Sequence, residues 1–386
     1  MANILILGGD GYLGWPTAMK FAIEGHQVTV TDNYFRRRIA EECNSEALIA
    51  TPSLRRRADL FKEFSGKEIN VEICNLDDQV EMERLFEEQR PETVIHYAEQ
   101  PSAPYSMLGC KEAKITLENN LAVTMNLIWA TLKHNPSCHI IKLGTMGEYG
   151  TPNIDIEEGW LTINHKGREE TVLFPRAASS LYHTTKILDT DLLWFYVRLY
   201  GLRVTDLMQG PVYGLDAGVG DVSDALLPNF HYDDIFGTVI NRFIVQAVMG
   251  MPLTVYGRGN QTRGYLDLRD TINCVLLAER NPPDSGKMNI YNQITQTFSV
   301  NELARMLESA GKLCNLPVTI RNISNPRKEK EEHYYNPQYS KLSELGLKPN
   351  LLTVDVLTKM LDKVSKYKNR INPEIIMPRV AWNKDV

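Results

Sequence analysis

A glycine-rich loop that follows a short apolar run is the feature that most constrains how this chain can fold. The run Asn3–Leu7 is too short to span a membrane and is typical of a buried parallel strand. Gly8, Gly11 and Gly14 follow it in a G-x-x-G-x-x-G spacing, and a helix-like stretch comes next. Glycines so spaced permit a tight turn and let a pyrophosphate approach the helix N-terminus. The pattern predicts a Rossmann-type dinucleotide-binding unit.

The second apolar run, Gln27–Thr31, ends at Asp32, which indicates the choice of dinucleotide. A carboxylate at this point binds the adenosine ribose hydroxyls and favours NAD over NADP. The arginine run at 36–38 favours NADP instead, since arginine can bind a 2′-phosphate. Runs of charged residues are, however, usually solvated. Because Asp32 would repel that phosphate, we predict NAD, with Arg36 in contact with the adenine or ribose.

Further apolar runs at 68–74, 93–98 and 138–143, and one before Gln209, alternate with helix-like segments. This alternation predicts an α/β fold with a doubly wound parallel sheet and ligands at the carboxyl ends of its strands. We predict an NAD-binding Rossmann domain over 1–212, to which the chain returns around 254–280. A smaller C-terminal substrate-binding domain over 213–386 is expected to interleave with it.

Tyr182 and Lys186 lie four residues apart, which places both on one face of a helix. An adjacent positive charge favours a phenolate, so the pair predicts a base that works near neutral pH once the positive nicotinamide ring is added. Thr145, at the end of the fifth predicted strand, is either a substrate contact or a cap of the following turn. The sequence leaves these two alternatives open.

Composition excludes several classes of protein. The chain has 386 residues, 43% of them hydrophobic. Its net charge of −6 does not indicate a basic surface for nucleic acid. Its six cysteines show neither a C-x-x-C nor a metal-ligand spacing, so we expect free thiols, no metal and a cytoplasmic location. No apolar stretch reaches the ~18 residues of a membrane span.

Together these residues resemble the extended short-chain dehydrogenases/reductases, in the NAD-dependent epimerase/dehydratase branch. Within that branch, several stretches that run along nearly the whole chain resemble the UDP-sulfoquinovose synthase family. These stretches are Glu99–Met107, Gly144–Glu158, Tyr256–Gly257, Gln261–Asp267, Asn325–Arg327 and Glu332–Asn336. The resemblance implies an enzyme that converts UDP-glucose and sulfite into UDP-sulfoquinovose with tightly held NAD.

The chemistry that the resemblance implies begins with oxidation at the sugar C4, where Tyr182 takes the hydroxyl proton. The 4-ketone acidifies C5, loss of the 6-hydroxyl gives an enone, and sulfite adds at C6 before hydride returns to C4. Related 4,6-dehydratases carry an Asp-Glu pair after the threonine, where this chain has Met146-Gly147. His183 and Glu148 are therefore the candidates for the acid/base role, and each has a purely structural alternative.

The remaining site predictions concern binding. Arg263 and Arg327 are expected to clamp the diphosphate, since a guanidinium fork matches phosphate oxygens. A hairpin within 154–174 is expected to cover the cleft. The predicted cofactor contacts are Gly8, Gly11, Tyr12, Leu13, Gly14, Asp32, Asn33, Arg36, Asn75, Leu76, Asn119, Tyr182 and Lys186. The predicted substrate contacts are Gln100, Tyr105, Thr145, Gln209, Thr238, Asn241, Arg242, Gln261, Arg263 and Arg327.

Two alternative functions and an oligomeric state complete the predictions. A UDP-glucose 4-epimerase or 4,6-dehydratase is the alternative within the same class, although Met146-Gly147 argues against the dehydratase. A non-catalytic NAD-sensing protein is the alternative from another class, and pure binding would not need a phenol base. Apolar faces on the 114–133 and 182–200 segments predict a homodimer or homotetramer.

Overall fold

The structure is a computed structural model that describes residues 1–327, 333–379 and 382. Its strands, in chain order, are β1 (Asn3–Leu7), β2 (Gln27–Asp32), β3 (Asn70–Ile73), β4 (Thr93–His96), β5 (His139–Thr145), β6 (Trp160–His165), β7 (Arg168–Leu173), β8 (Arg203–Gln209), β9 (Val212–Tyr213), β10 (Leu253–Tyr256), β11 (Thr262–Asp267), β12 (Met288–Gln293), β13 (Gln296–Ser299) and β14 (Ile320–Ile323). Its α-helices are α1 (Gly14–Ile23), α2 (Phe35–Glu42), α3 (Leu54–Ser65), α4 (Gln79–Gln89), α5 (Ala103–Ser106), α6 (Cys110–His134), α7 (Leu181–Tyr200), α8 (Val239–Met249), α9 (Leu268–Arg280), α10 (Val300–Leu313), α11 (Lys341–Glu344) and α12 (Val354–Ser365).

Seven strands form the central sheet in the order β12-β8-β5-β4-β1-β2-β3, and every neighbouring pair is parallel. Buried hydrophobic side chains cover both of its faces and together form the first core of the protein. Strand β4 is buried at every residue, as expected for a parallel strand covered on both sides. This architecture confirms the predicted doubly wound α/β fold. Its strand order reverses between β1 and β4, which is where such sheets bind ligands.

The glycine loop is packed too tightly for larger residues. Gly8 adopts a φ of +87°, which L-residues with a side chain rarely adopt. A Cβ on Gly14 would lie only 2.1 Å from the carbonyl oxygen of Gly8. The turn between β1 and α1 therefore depends on both glycines, in agreement with the predicted fingerprint.

A second hydrophobic core, built mainly from residues 213–376, joins α8, α10 and α12. Two small sheets belong to this part of the chain, β10-β14 and β13-β11-β9. The chain returns to the large sheet later than the predicted residues 254–280. Strand β10 pairs with β14 rather than with the large sheet, whereas α9 packs against the large sheet and β12 adds to its edge beside β8. The chain returns over 268–293.

The predicted hairpin is present, because β6 and β7 pair in antiparallel register from Trp160 opposite Leu173 to His165 opposite Arg168. Its predicted position over the cleft is wrong. Trp160 packs edge-to-face on Trp194 of α7, with ring centroids 4.9 Å apart, so this hydrophobic contact holds the hairpin against the outside of α7. Among the residues that the structure describes, no helix is both long and apolar enough to cross a bilayer.

Candidate active site

A cavity of about 680 Å³ opens at the carboxyl ends of the central strands, a size typical of small-molecule sites. Segments from both hydrophobic cores line it, so the fold brings together residues that are far apart in the sequence. Of the residues predicted from the sequence, the cavity lining contains Gly8, Gly11, Tyr12, Leu13, Gly14, Asp32, Asn33, Arg36, Leu76, Asn119, Thr145, Tyr182, His183, Gln209, Thr238, Asn241, Arg242, Gln261, Arg263 and Arg327.

Five predicted residues do not line the cavity: Asn75, Gln100, Tyr105, Glu148 and Lys186. Gln100 faces the protein interior, where its amide bonds the Thr116 hydroxyl and the Ser102 backbone. Tyr105 is 2% exposed and packs in a small apolar cluster under the wall. The side-chain amide oxygen of Asn75 accepts a hydrogen bond from the amide of Asn33, and Asn75 does not line the cavity. Gln100 and Tyr105 therefore lie behind the residues that line the cavity.

Asp32 is held in place at the end of β2. Its two carboxylate oxygens accept hydrogen bonds from the backbone N–H groups of Asp10 and Tyr34, at 2.9 Å and 2.7 Å. Burial, and then the negative charge of Asp10, raise the pKa of Asp32 to about 6. The glycine turn and this carboxylate, which face the same cavity, fit the pyrophosphate and the adenosine ribose of a dinucleotide.

The three arginines after Asp32 have different roles. Arg37 donates two hydrogen bonds to the Asp10 carboxylate, at 2.6 Å and 2.7 Å. Arg38 donates to a backbone carbonyl. Arg36 lines the cavity with its guanidinium 4.6 Å from the centre of the Phe236 ring. Arg37 is thus committed to a carboxylate of the protein, in keeping with the prediction that this run does not form a 2′-phosphate site.

Tyr182 and Lys186 lie in the first turns of α7, which begins after the N-cap Ser180. The Lys186 ammonium lies 5.9 Å from the centre of the Tyr182 ring. It is bonded to Glu99 and to the Leu143 carbonyl, each at 2.5 Å. Burial, and then the charge of Glu99, raise the pKa of Tyr182. Glu99 therefore offsets the charge of Lys186 in the free protein, and the action of the phenol as a base once the positive nicotinamide ring is added stays a prediction.

Thr145 caps the turn that follows β5, which is one of the two alternatives left open by the sequence. Its hydroxyl accepts a hydrogen bond from the Gly147 N–H at 3.1 Å, and the Glu148 carboxylate accepts one from the Thr145 N–H at 3.2 Å. This capping box starts a short 3₁₀ turn, Met146–Glu148. Thr145 also lines the cavity. The cap fixes the threonine at the end of β5, on the side of the cavity where Tyr182 lies.

His183 lies against Gly147. Its ring also lies beside that of Tyr182, with centroids 5.3 Å apart, and it lines the cavity. Burial, and then the positive charges of Arg327 and Arg263, lower the pKa of His183 to about 3. An ordinary imidazole has a pKa near ~6.5, whereas this ring is neutral at pH 7 in the free protein.

Glu148, the other acid/base candidate, is fully buried behind β5. Its carboxylate is 3.2 Å from the ammonium of Lys142, which is also 3.3 Å from Asp206. Burial raises the pKa of Glu148, while Lys142 opposes that shift. Since Glu148 faces this ion cluster and not the cavity, its position supports the structural alternative for this residue.

The second half of the cavity is lined by polar side chains from β8, α8 and the small sheets. Among the described residues, four oxygens in this wall are buried without a hydrogen-bond partner in the protein: Gln209 Oε1, Thr238 Oγ1, Asn241 Oδ1 and Gln261 Oε1. Buried polar groups are normally satisfied, so a cluster of such atoms around one cavity is typical of a polar-ligand site. Arg263 and Arg327 give the same region positive charge.

Sequence reasoning missed other lining residues, among them Glu99, His231, Phe236, Tyr256 and Trp382. Glu99 had a signal, since it directly precedes the predicted Gln100 at the end of the fourth strand. Tyr256 also had a signal, because the stretch Tyr256–Gly257 carries part of the family resemblance, whereas Phe236 and Trp382 had none in the sequence around them. The arginines at 242 and 327 stack on two of these aromatic rings, Tyr256 and Trp382, at 4.2 Å and 5.2 Å.

A doubly wound sheet with a glycine turn, a carboxylate at the end of β2, and Tyr182 above Lys186 defines the short-chain dehydrogenase/reductase class. Comparison with known proteins is consistent with this class and narrows it. The profile of the NAD dependent epimerase/dehydratase family matches residues 4–292. Among solved structures, the chain is similar to UDP-glucose 4-epimerase from Bifidobacterium longum in complex with NAD+ and UDP. That likeness has a TM-score of 0.71 at 21% identity and covers 95% of this chain and 99% of the other.

Two curated relatives are similar over nearly the whole chain. The chloroplastic UDP-sulfoquinovose synthase of Spinacia oleracea is 44% identical, over 99% of this chain and 79% of the relative. The UDP-sulfoquinovose synthase of Sulfolobus acidocaldarius is 40% identical, over 99% of this chain and 98% of the relative. The chain belongs to the NAD dependent epimerase/dehydratase family and, within it, to the UDP-sulfoquinovose synthases. It is an enzyme, and NAD is its cofactor.

Proposed function

We propose that this enzyme makes UDP-sulfoquinovose from UDP-glucose and sulfite. The observation that supports this reaction beyond family membership concerns the wall beside Tyr182. There the imidazole of His183 occupies the space that a side chain at Gly147 would fill. A glycine and a neutral ring leave no carboxylate at this wall to repel an anion. The full reaction exchanges the 6-hydroxyl for a sulfonate: UDP-glucose and hydrogensulfite give UDP-sulfoquinovose and water.

Oxidation at C4 comes first in the proposed mechanism. The glycine turn and Asp32 would hold NAD, which would supply a reversible hydride acceptor for C4 and a positive charge on its ring in the oxidised form. Tyr182 takes the proton of the 4-hydroxyl, and the Thr145 hydroxyl at the end of β5 orients that oxygen. Such a positioned base contributes typically ~10²–10⁴ in rate.

Removal of water across C5 and C6 comes next. The 4-ketone makes the C5 proton acidic, and His183 is the proposed group that takes it and then protonates the departing 6-hydroxyl. A neutral imidazole is the form that can accept a proton, and its pKa of about 3 keeps it neutral in the free protein. Two of the causes of that low pKa are arginines, so a bound diphosphate that offsets their charge would raise it.

Sulfite adds to the enone in the third step. Its sulfur lone pair forms the C6–S bond, the proton of hydrogensulfite passes to His183, and His183 delivers that proton to the C5 carbanion. Return of hydride to C4, together with the proton held by Tyr182, then restores the 4-hydroxyl. Every bond broken in the first step is remade, and the net change is confined to C6.

The nucleotide half of the substrate is proposed to occupy the second half of the cavity. Arg263 and Arg327 would hold the diphosphate, because both line the cavity and their charge already acts on His183. The unsatisfied oxygens of Thr238 and Asn241 would accept hydrogen bonds from the nucleoside or the sugar. We also propose a cytoplasmic homodimer or homotetramer, since α6 and α7 expose apolar side chains.

Mass spectrometry of the products from UDP-glucose, NAD and sulfite tests the proposal. The expected product is UDP-sulfoquinovose, formed only when sulfite is present, and Tyr182→Phe should abolish it. UDP-galactose as the main product would show a 4-epimerase instead. A 4-keto-6-deoxy sugar without use of sulfite would show a 4,6-dehydratase, and either result would overturn the proposal.

A further inference from the structure

Lys142 carries a buried charge behind the active site that has no role in the proposed mechanism. It lies on β5, three residues before Thr145, and its side chain is fully buried without lining the cavity. Burial opposes the charged form, but Asp206 and then Glu148 outweigh it and raise the pKa of Lys142. The group is therefore a permanent positive charge inside the protein.

Four hydrogen-bond acceptors from three parts of the chain surround the Nζ atom of Lys142. Two of them belong to α7: the Lys186 carbonyl oxygen at 3.0 Å and the Thr190 hydroxyl at 2.6 Å. The third is Glu148 Oε1, in the turn after β5, at 3.2 Å, and the fourth is Asp206 Oδ2, on β8, at 3.3 Å. An ammonium has three N–H groups, so these acceptors use all of them. Lys142 thus joins the sheet, the turn and the helix.

Glu148 connects Lys142 to Thr145. The oxygen that accepts from Lys142, Oε1, is also the one that accepts the hydrogen bond from the Thr145 N–H. That second bond is half of the capping box that fixes Thr145 at the end of β5. Lys142 therefore holds the carboxylate that holds the threonine.

The bonds to α7 connect Lys142 to the helix that bears Tyr182. Lys186 lies one helical turn after Tyr182, and Thr190 lies one turn further. The Thr190 hydroxyl is also 2.7 Å from Asp206 Oδ2, so the same point of the helix contacts β8. A shift of α7 along β5 would break both bonds to Lys142.

Gly144 leaves the space in which this cluster lies. A Cβ on Gly144 would be 2.4 Å from Asp206 Oδ1 and 3.1 Å from Glu148 Oε1. The carboxylates therefore lie directly against the backbone of β5, one residue before Thr145. Buried ion pairs can often be replaced by apolar residues of similar volume without loss of stability, so stability alone does not account for the cluster. Its distinctive feature is that it bonds two elements of the active site to each other.

We propose that Lys142 is a positioning residue that holds the helix bearing Tyr182 in register with Thr145 for oxidation at C4. The two groups come from different elements, α7 and β5, and both must reach one hydroxyl of the sugar. A misplacement of about 1 Å can cost about 10²-fold in rate. Lys142 bonds α7 directly and Thr145 through Glu148. The inference rests on the proposed function in taking Tyr182 and Thr145 as the groups that act on the 4-hydroxyl.

Lys142→Met tests the assigned residue, because methionine keeps an unbranched buried side chain and removes the ammonium. The measurements are the rate at which saturating UDP-glucose reduces bound NAD, without sulfite, and the affinity for UDP. The rate should fall by about 10–100-fold while the affinity stays within about twofold. A wild-type rate in the folded variant would overturn the inference. Equal losses of rate and affinity would overturn it too, because Lys142 would then only support the fold.

Lys341→Met is the matched control. Lys341, at the start of α11, also donates a hydrogen bond to a backbone carbonyl, that of Glu158, at 2.8 Å, and it does not line the cavity. Its loss should leave the rate of NAD reduction unchanged. The same loss of rate in this control as in Lys142→Met would contradict a specific role for Lys142.

A cycle with Thr145→Ala separates positioning from general destabilisation. If Lys142 keeps Tyr182 in register with Thr145, its removal should matter less once the Thr145 hydroxyl is absent. In the Thr145→Ala background, Lys142→Met should lower the rate of NAD reduction by less than about threefold. Equal losses in the two backgrounds would show that Lys142 acts independently of Thr145, against the inference.

A triple variant covers the case in which two buried carboxylates without their lysine prevent folding. Lys142→Met with Glu148→Gln and Asp206→Asn removes all three charges, and the amide oxygen at position 148 can still accept from the Thr145 N–H. The rate should remain as low as in Lys142→Met, because the bonds from Lys142 to α7 are still lost. Recovery of the wild-type rate would show that Lys142 only neutralises the carboxylates, which would overturn the inference.

Tyr182→Phe distinguishes a failure of this inference from a failure of the proposed function. Reduction of NAD that persists in Tyr182→Phe would overturn the proposed role of the phenol and this inference with it. Reduction that is lost in Tyr182→Phe but intact in Lys142→Met would overturn the inference alone. The assay contains no sulfite, so its outcome is independent of whether the sulfosugar forms.

Discussion

The imidazole of His183 occupies the space directly beside Gly147. A Cβ built on Gly147 would lie 2.5 Å from His183 Nε2 and 2.6 Å from its Cδ2. Contacts that short do not occur between real atoms, so the ring has its position only because residue 147 has no side chain. The two residues come from different elements, the turn after β5 and the first turn of α7, and together they form one wall of the cavity.

Gly147→Ala should therefore displace the His183 ring without touching Tyr182. We expect reduction of bound NAD by UDP-glucose to survive, while formation of the sulfosugar falls by about 10²–10⁴-fold, the typical contribution of an acid/base group. Gly109→Ala is the matched control, since its Cβ would meet only the flexible end of Glu112. Product formation at the wild-type rate in Gly147→Ala would show that the ring position does not matter.

His183→Ala should separate the two halves of the chemistry. Absorbance of reduced cofactor should still appear on addition of UDP-glucose, whereas exchange of solvent deuterium into C5 should be lost. Adding Gly147→Ala to this variant should lower product formation little further, because the ring that the new methyl group would displace is already absent. Additive losses in the double variant would mean that the two residues act independently.

The affinity for NAD should depend on pH through Asp32. Its pKa is raised to about 6 in the free protein, so the carboxylate that accepts the ribose hydroxyls is lost as the pH falls below that value. Affinity should be constant above about pH 7 and fall by about tenfold per unit below about pH 6. Calorimetry across this range measures it. Asp32→Asn should bind NAD more weakly and without this pH dependence.

Association of two chains should depend on the exposed face of α6 and α7. Trp129, Phe195 and Leu199 are 45%, 45% and 61% exposed there, an apolar patch typical of a protein interface. Phe195→Glu with Leu199→Glu should convert a dimer into monomers in light scattering at micromolar concentration. Leu351→Glu changes a leucine that is 47% exposed elsewhere and should have no effect. A monomeric wild type would contradict the prediction.

The sequence predicted those parts of the site that depend on short-range patterns. Gly14 and Asp32 follow apolar strands at fixed spacings, and Lys186 follows Tyr182 by one helical turn, so their places could be inferred without the fold. Long-range contacts decided the rest. Nothing in the sequence near Glu148 shows that Asp206 and Lys142 enclose it. Nothing near residue 160 shows that the hairpin packs on α7.

Charges were the least predictable part of the site. Tyr182 and Lys186 are neighbours in the sequence, yet the group that governs Lys186 is Glu99, which follows a different strand. Similarly, the low pKa of His183 depends on Arg263 and Arg327, which approach from the second hydrophobic core. A pKa sums burial and charges over the whole neighbourhood, and that neighbourhood exists only after folding.

The late position of β12 in the chain has a consequence for synthesis on the ribosome. β12 covers the edge of β8 and closes the central sheet, and Arg327 and Trp382 complete the cavity wall still later. While the chain is being translated, the backbone N–H and C=O groups at the edge of β8 stay unpaired and the cavity wall is incomplete. We therefore expect nascent chains to need shielding by chaperones at this edge, and the half of the cavity proposed for the nucleotide sugar to be complete only at the end of translation.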